Sequence, residues 1–159
     1  MAQWLLQMDP NKWRMRDFLA DGLVLADWTV RRYLDQPQVD DPVVIWASGK
    51  AGGVVAIGKV TGPVIDGPVE PDPYWNDPRN IESAHLLPIR IDNHFLDEPV
   101  SRTVLAQDPD FADSLILRAP QGANPFPVSD EEWAAIQRHL DAEPHTKDVW
   151  NLAPGDSIK

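Results

Sequence analysis

The stretch 43-VVIWASGKAGGVVAIGKV-60 contains two runs rich in Val, Ile and Ala, separated by a turn that holds three glycines. β-branched residues favour strands, and Gly49, Gly52 and Gly53 suit the tight connection between them. We therefore expect a β-hairpin, with one strand at 43–47 and its partner after the turn. This hairpin is the clearest strand pattern in the chain.

Apolar spacing predicts further elements on both sides of the hairpin. Residues 3–8 (QWLLQM) indicate an opening strand, and 11–22 a helix with Trp13, Phe18 and Leu19 inward and Gly22 at its end. The run 84–95 alternates as a strand does. Short helical turns are expected in SRTVLAQ and PDFADSL, and a loop after LILR.

The final helix has the best-defined start, because Ser129 followed by Glu132 forms a capping-box pattern. Residues 62–82 are rich in Pro, Asp and Gly, which predicts a long acidic loop rather than a packed element. The expected architecture is α+β, a small curved or barrel-like mixed sheet with two or three helices. Residues 1–141 form one domain in this interpretation, and 142–159 a flexible C-terminal tail.

The composition restricts the class of protein. With 159 residues and 43% hydrophobic content, the chain is long enough for one well-packed domain. The absence of cysteine excludes disulfides and thiolate metal sites. No apolar run approaches the roughly 20 residues of a membrane span, and the start lacks signal-peptide features. We expect a cytoplasmic protein without a membrane partner.

The net charge of −11 is unevenly distributed. Residues 1–60 hold seven basic and seven acidic side chains, so all of the excess negative charge lies in 61–159. Like charge weakens binding to a phosphate backbone. Tight non-specific binding to duplex DNA is therefore not expected, although a neutral or basic groove can coexist with an acidic far side because salt screens distant charges.

Catalytic patterns are missing from the chain. SGKAGG resembles a phosphate loop, but a Walker A motif would need Gly where Val44 stands and Ser or Thr in place of Ala51. The four histidines lack the pairing of a zinc site, and no Ser lies in a G-x-S-x-G elbow. We therefore expect no enzyme activity, no cofactor and no metal.

Aromatic residues next to Gly, Pro or polar residues are candidates for a cavity wall: Trp28, Tyr33, Trp46 and Phe126. The alternative is ordinary core packing, since aromatic side chains dominate burial and most of the seven tryptophans must be core. Arg31 and Arg32 on their own are typical of solvated surface.

Four pieces of sequence in the same order, QWLLQM, WTVRRY, VVIWASGKAGGVVAIGKV and LILRAPQGANPFPVSDEEW, resemble the EVE domain of the PUA-like superfamily, over about residues 3–140. The resemblance implies a PUA-like mixed-sheet pseudobarrel flanked by short helices, similar to PUA and YTH domains and to the thymocyte nuclear protein. Such domains are thought to read modified bases through an aromatic-lined pocket.

The family motifs map onto three groups of residues in this chain: Trp28, Val30, Arg31 and Tyr33; Trp46, Ser48, Gly49 and Lys50; and Pro120, Gln121, Gly122, Asn124 and Phe126. The family usually runs from Asn directly to Phe, whereas Pro125 intervenes here. The resemblance implies that the aromatic rings stack on a base. Ser48, the Gly49 amide, Gln121 and Asn124 would then bond its edge, and Arg31, Arg32 and Lys50 would hold flanking phosphates.

These expectations favour a non-catalytic domain that reads a modified base, such as 5-methyl- or 5-hydroxymethylcytosine, in DNA or RNA after flipping it into the pocket. The alternative is a small-molecule sensor that takes a free nucleobase, nucleoside or other planar ligand into the same pocket. An enzyme acting on the flipped base ranks lowest. The resemblance also implies a partner from a restriction or modification system.

Overall fold

The computed structural model describes residues 2–77 and 82–142. Within this part of the chain lie eight strands and four short or medium helices, in the following order: β1 (Gln3–Met8), α1 (Met15–Ala20), β2 (Asp27–Val30), β3 (Pro42–Ala47), β4 (Gly53–Val60), β5 (Ile65–Pro68), β6 (Ser83–His94), β7 (Val100–Ser101), α2 (Arg102–Gln107), α3 (Leu115–Arg118), β8 (Phe126–Val128) and α4 (Asp130–Ala142).

The predicted hairpin is confirmed, because β3 and β4 pair antiparallel from Pro42 opposite Lys59 to Ala47 opposite Gly53. It forms the centre of a mixed sheet with the order β2-β6-β4-β3-β1-β8, in which β1 runs parallel to β3. β5 pairs with β6, and β7 with β4. Gly53 has φ +144°, and a Cβ there would collide with the carbonyl oxygen of Val100, so this position requires glycine.

Both faces of the sheet are covered by apolar layers. In β1, Trp4 and Leu6 belong to the core on the α1 side, whereas Leu5 belongs to the core on the α4 side. This alternation follows from the two-residue period of a strand. Because both faces are buried, the central strands are apolar at nearly every position.

The sheet curls until its two ends approach one another. Arg31, which directly follows β2, donates its backbone N–H to the backbone oxygen of Asn124, shortly before β8, at 2.9 Å. This bond joins the two ends of the strand order. The expected fold class is confirmed: the domain is a curled mixed-sheet half-barrel with a few short helices, of the PUA-like type.

Helix α4 begins with the predicted capping box. The backbone N–H of Ser129 donates to Glu132 at 2.9 Å, and the N–H of Glu132 donates to Ser129 Oγ at 3.1 Å. Further along, Asp108 after α2 accepts bonds from Arg138 and His139 of α4. The pKa of Asp108 lies below its usual range, mainly because its carboxylate accepts from the backbone N–H of Asp110 and further because it accepts from His139 and Arg138.

Two predictions for irregular regions were wrong. The first helix begins at Met15 rather than at 11, because the backbone of 12–14 pairs with 74–76: Arg14 N–H donates to the Tyr74 oxygen at 2.9 Å, and Asn76 N–H to the Lys12 oxygen at 2.8 Å. The acidic segment 62–82 is therefore a packed part of the domain as far as it is described, and it includes β5.

Two other short elements qualify the expectations. Leu115–Arg118 is a helical turn, α3, and Phe126–Val128 is a strand that was expected to be loop. The predicted tail lies outside the described residues from 143 onward. No helix in the described part of the chain has the length and apolar character that crossing a bilayer demands.

Candidate functional site

A cavity of about 1430 Å³ opens where the two ends of the curled sheet meet, and we call it the edge cavity. Its walls come from the end of β1, from α1, from residues 23–29, from residues 68–76 after β5, and from the loop 120–124 before β8. These segments are distant in sequence, and the curl of the sheet brings them together. The volume exceeds the range of about 300 to 1,000 Å³ that is common for small-molecule pockets.

Tryptophans form the main apolar wall of the edge cavity. Trp13 is 5% exposed and lies at the centre of the group. The ring of Trp28 meets it edge-on at 5.7 Å and 84°, and the ring of Trp75 lies 6.1 Å away at 34°. Trp13 Nε1 donates to Asp72 at 2.9 Å, which fixes the central ring. Trp28 and Trp75 are half-buried, so each can offer part of its surface to a ligand.

Asn124 fastens the loop 120–124 to β1. Gln7 donates its backbone N–H to Asn124 Oδ1 at 2.7 Å, and Asn124 Nδ2 donates to the Gln7 backbone oxygen at 3.0 Å. β8 pairs with Gln3 to Leu5 on this same edge of β1, so the Asn124 amide continues the pairing beyond the end of β8. The backbone oxygen of Asn124 also accepts from Arg31 and Arg32. Asn124 therefore supports the cavity wall, with both amide atoms engaged.

The charged side chains around the edge cavity are mostly acidic: Asp9, Asp27, Glu70, Asp72 and Glu82. Within residues 2–77 and 82–142, two cations, Lys12 and Arg31, also line it. Partial burial raises the pKa of Asp27, at the start of β2 and next to Trp28. A carboxylate in that position accepts hydrogen bonds from the amino group of a ligand. The lining thus suits a planar ligand with N–H donors better than one that carries several negative charges.

The edge cavity brings together seven of the residues that the motifs singled out: Trp28, Arg31, Ser48, Pro120, Gln121, Gly122 and Asn124. Ser48 is anchored through its backbone N–H, which donates to the Met8 oxygen at 2.8 Å. Pro120 and Gln121 are exposed at the rim. The sequence separates these three motifs by as many as 96 positions, from Trp28 to Asn124. They lie close together because the sheet curls.

Three residues expected at the pocket lie in the core instead. Trp46 is 2% exposed and stacks on Phe111 at 5.9 Å and 14°, in the core on the α4 side. Phe126 is fully buried in the same core. Val30 is buried on the α1 side. The reason is strand parity: Trp46 and Phe126 point to the face that α4 covers, away from the edge cavity.

Four more of the expected residues lie outside the cavity lining. Tyr33 has φ 53° and packs its ring 5.7 Å from Trp4. The Arg32 guanidinium lies over the Tyr33 ring at 5.1 Å and donates to its hydroxyl at 3.1 Å. Gly49 and Lys50 are exposed in the hairpin turn. Of the three cations expected to hold phosphates, the cavity lining therefore includes Arg31.

Sequence reasoning missed part of the aromatic wall. Trp75 and Tyr74 belong to a segment that was predicted to be an unpacked loop, and Trp13 was assigned only to a helix core. The available signal was the aromatic pair at 74–75 within a stretch that is otherwise rich in Pro and Asp. Such an isolated aromatic pair indicates that the loop packs against the rest of the domain. Asp27 was also missed, because acidic residues before a strand are common.

The fold and the cavity define the class of this protein: a PUA-like domain with an aromatic cavity at the open edge of its half-barrel. The family model for the EVE domain matches residues 2–139, so the chain belongs to the EVE domain family. No curated protein matches the chain by sequence.

Several solved structures share the fold. A hypothetical protein from Leishmania major has a TM-score of 0.62 at 17% identity, covering 95% of this chain and 98% of that one. A protein from Rhodopseudomonas palustris, solved by NMR, has a TM-score of 0.61 at 21% identity, covering 87% and 92%. The human THYN1 protein, in complex with 5-methylcytosine containing DNA, has a TM-score of 0.60 at 12% identity, covering 87% and 98%.

Proposed function

We propose that this chain is a non-catalytic domain that reads a modified base in DNA by taking the flipped base into the edge cavity. The observation that carries the proposal is the tryptophan wall: Trp28 and Trp75 line the cavity, and the ring of each lies next to that of a buried, hydrogen-bonded Trp13. Membership of the EVE family and the human THYN1 complex with 5-methylcytosine containing DNA support it.

The energy balance of base flipping calls for such a wall. Extruding a base from its stack costs a few kcal/mol, and stacking it on one aromatic ring recovers about 1 to 3 kcal/mol. The half-buried faces of Trp28 and Trp75 supply this surface, and the volume of about 1430 Å³ leaves room for the attached sugar and phosphate. A single exposed ring would recover only part of the cost.

Hydrogen-bonding groups in the lining favour cytosine over thymine as the pyrimidine that is read. A carboxylate accepts from the exocyclic amino group of cytosine, and thymine has an oxygen at that position. Asp27 is such a carboxylate, beside Trp28 at the start of β2. Ser48 and Gln121 can bond the remaining edge. Asn124 is committed to Gln7, so we assign it to the wall rather than to the base.

A single methyl group limits how well the modification itself is recognised. Burying one carbon is worth about 0.8 kcal/mol, and a one-methyl difference gives at most about 10- to 200-fold discrimination. We therefore expect measurable but modest preference for the modified base over the unmodified one.

Titration of short duplexes and single strands that carry cytosine, 5-methylcytosine or 5-hydroxymethylcytosine tests the proposal. Trp28→Ala is expected to weaken binding of the modified duplex by about fivefold to about 150-fold, the loss of one stacking contact, without unfolding the domain. Trp28→Phe should retain part of the affinity. The matched control is Trp133→Ala, which removes a half-buried tryptophan on α4 outside the cavity lining.

Two results would contradict the proposal. If Trp28→Ala and the wild-type protein bind the modified duplex with equal affinity, the cavity wall does not contribute to binding. If Trp28→Ala unfolds globally, this residue is part of the core. The same titration is repeated with RNA oligonucleotides that carry the same bases. Tighter binding of a modified RNA than of the matching DNA would move the assignment from DNA to RNA.

A second candidate function is a sensor that binds a free nucleobase, nucleoside or other planar ligand. The observation that favours it is the charge of the lining, which among the residues that the structure describes has five carboxylates against two cations, because a free base has no phosphates to repel. Comparison of a modified nucleoside with an oligonucleotide that carries it separates the two functions. A sensor gains no affinity from the flanking backbone, whereas a reader of nucleic acid does.

A further inference from the structure

Two exposed apolar side chains lie at the mouth of the edge cavity. The segment 22–26, which we call the rim loop, connects α1 to β2. Within it Leu23 is 44% exposed and Val24 is 83% exposed, the largest value among the exposed large hydrophobic residues of the described chain. Both line the edge cavity. A single exposed apolar residue is ordinary on a protein surface, but a neighbouring pair on the rim of a binding cavity suggests a role in contact.

The rim loop is anchored at both ends. At its start, Gly22 has φ +81°, its N–H donates to the Leu19 oxygen at 3.0 Å, and the N–H of Leu23 donates to the Phe18 oxygen at 3.3 Å. This pair of bonds is a Schellman motif, which ends α1 in a defined direction. At the other end, the Ala26 oxygen accepts from Ile89 of β6 at 3.0 Å. The backbone therefore holds Val24 outward.

The rim loop carries no charge, since residues 22–26 are Gly, Leu, Val, Leu and Ala. Its acidic neighbour on the α1 side, Asp21, accepts a bond from the Tyr74 hydroxyl at 2.6 Å and is thus directed to the cavity wall. An uncharged apolar tip enters a stack of bases without the cost of removing water from a charge.

We propose that Leu23 and Val24 enter the gap that a flipped base leaves in duplex DNA. This inference rests on the proposed function. A flipped base remains attached to its backbone, so the gap lies at the mouth of the cavity that holds the base, which is where the rim loop projects. Apolar side chains inserted between base steps replace part of the lost stacking and hold the duplex open. The occupant of this surface is the base stack of a duplex, and a free nucleoside or single strand offers no such gap.

The test compares Val24→Ser and Leu23→Ser with Val39→Ser, a matched control at a valine that is 55% exposed and outside the cavity lining. Each variant is titrated with a duplex that carries one modified cytosine and with the free modified nucleoside. Because these side chains are exposed, folding should be preserved, and thermal melting checks it. Val24→Ser is expected to weaken duplex binding by about tenfold, as removal of an apolar contact does, and to weaken it by a clearly larger factor than nucleoside binding.

Three results would overturn the inference. Duplex affinity of Val24→Ser and Leu23→Ser equal to that of Val39→Ser would show that the rim loop does not enter the duplex. Parallel loss of duplex and nucleoside affinity would place these residues against the bound base instead. Failure of the wild-type protein to bind any modified base would end both proposals. If the rim-loop variants bind the duplex normally while Trp28→Ala still binds it weakly, the further inference fails and the proposed function stands.

Discussion

Substitution of Asn124 tests whether this residue supports the cavity wall or contacts the ligand. Replacement by alanine removes two hydrogen bonds to the backbone of Gln7, at 2.7 and 3.0 Å. Each intramolecular bond contributes about 0.5 to 1.5 kcal/mol, and a buried group left without a partner costs about 1 to 3 kcal/mol. Gln7 is half-buried beside the cavity, so water can satisfy part of the loss. We therefore expect Asn124→Ala to reduce the free energy of unfolding by about 2 to 3 kcal/mol.

Urea denaturation, monitored by far-UV circular dichroism, measures this loss of unfolding free energy. For a domain of this size the same change lowers Tm by about 4 to 12 °C. Asn124→Asp keeps an acceptor for the Gln7 N–H but places an oxygen against the Gln7 carbonyl, so it should be at least as destabilising. The control is Gln121→Ala at an exposed position in the same loop, expected within about 0.5 kcal/mol of the wild-type protein. Unchanged stability of Asn124→Ala together with lost ligand binding would refute the reasoning and make Asn124 a reader.

Two further predictions concern binding. If Lys12 and Arg31, the two cations among the described residues of the cavity lining, make the phosphate contacts, the logarithm of the duplex affinity should fall with the logarithm of the salt concentration with a slope of about −2. A slope steeper than about −5 in the titration would indicate phosphate contacts beyond these two residues. Burial raises the pKa of Asp27, so its carboxylate is protonated earlier than usual on acidification and loses its capacity to accept from an amino group. Affinity for a cytosine base should therefore fall as pH is lowered toward that pKa, and Asp27→Asn should flatten the profile. The ionised form is the less favourable one in the folded state, so Asp27→Asn is also expected to raise Tm at neutral pH; a lower Tm would indicate a stabilising partner for Asp27.

The corrected residues have one physical cause in common. Trp46 and Trp28 both lie in strands of the same sheet, yet Trp46 stacks on Phe111 in the core and Trp28 lines the cavity. Alternation along a strand separates two faces but does not tell which face meets a cavity. In a sheet buried on both sides, apolar residues occupy both parities, so the pattern that normally distinguishes the inside from the outside is lost.

Local patterns alone were sufficient for several parts of the molecule. The hairpin of β3 and β4 follows from β-branched runs and glycines, the opening strand β1 from a short apolar run, and the capped start of α4 from the Ser129–Glu132 pair. Each of these patterns acts over a few residues. The motifs that resemble the EVE domain also led to the family and the fold class, which the family match over residues 2–139 supports.

Only the tertiary structure decided where the cavity lies and which side chains form it. Trp13, Trp28 and Trp75 meet because the sheet curls and because the backbone of 12–14 pairs with 74–76, contacts that join residues about 60 positions apart. The role of Asn124 also depends on a partner, Gln7, at the far end of the chain. Such contacts depend on the whole packed sheet rather than on any short stretch, which is why the sequence determined several elements and the family, and the fold determined the site.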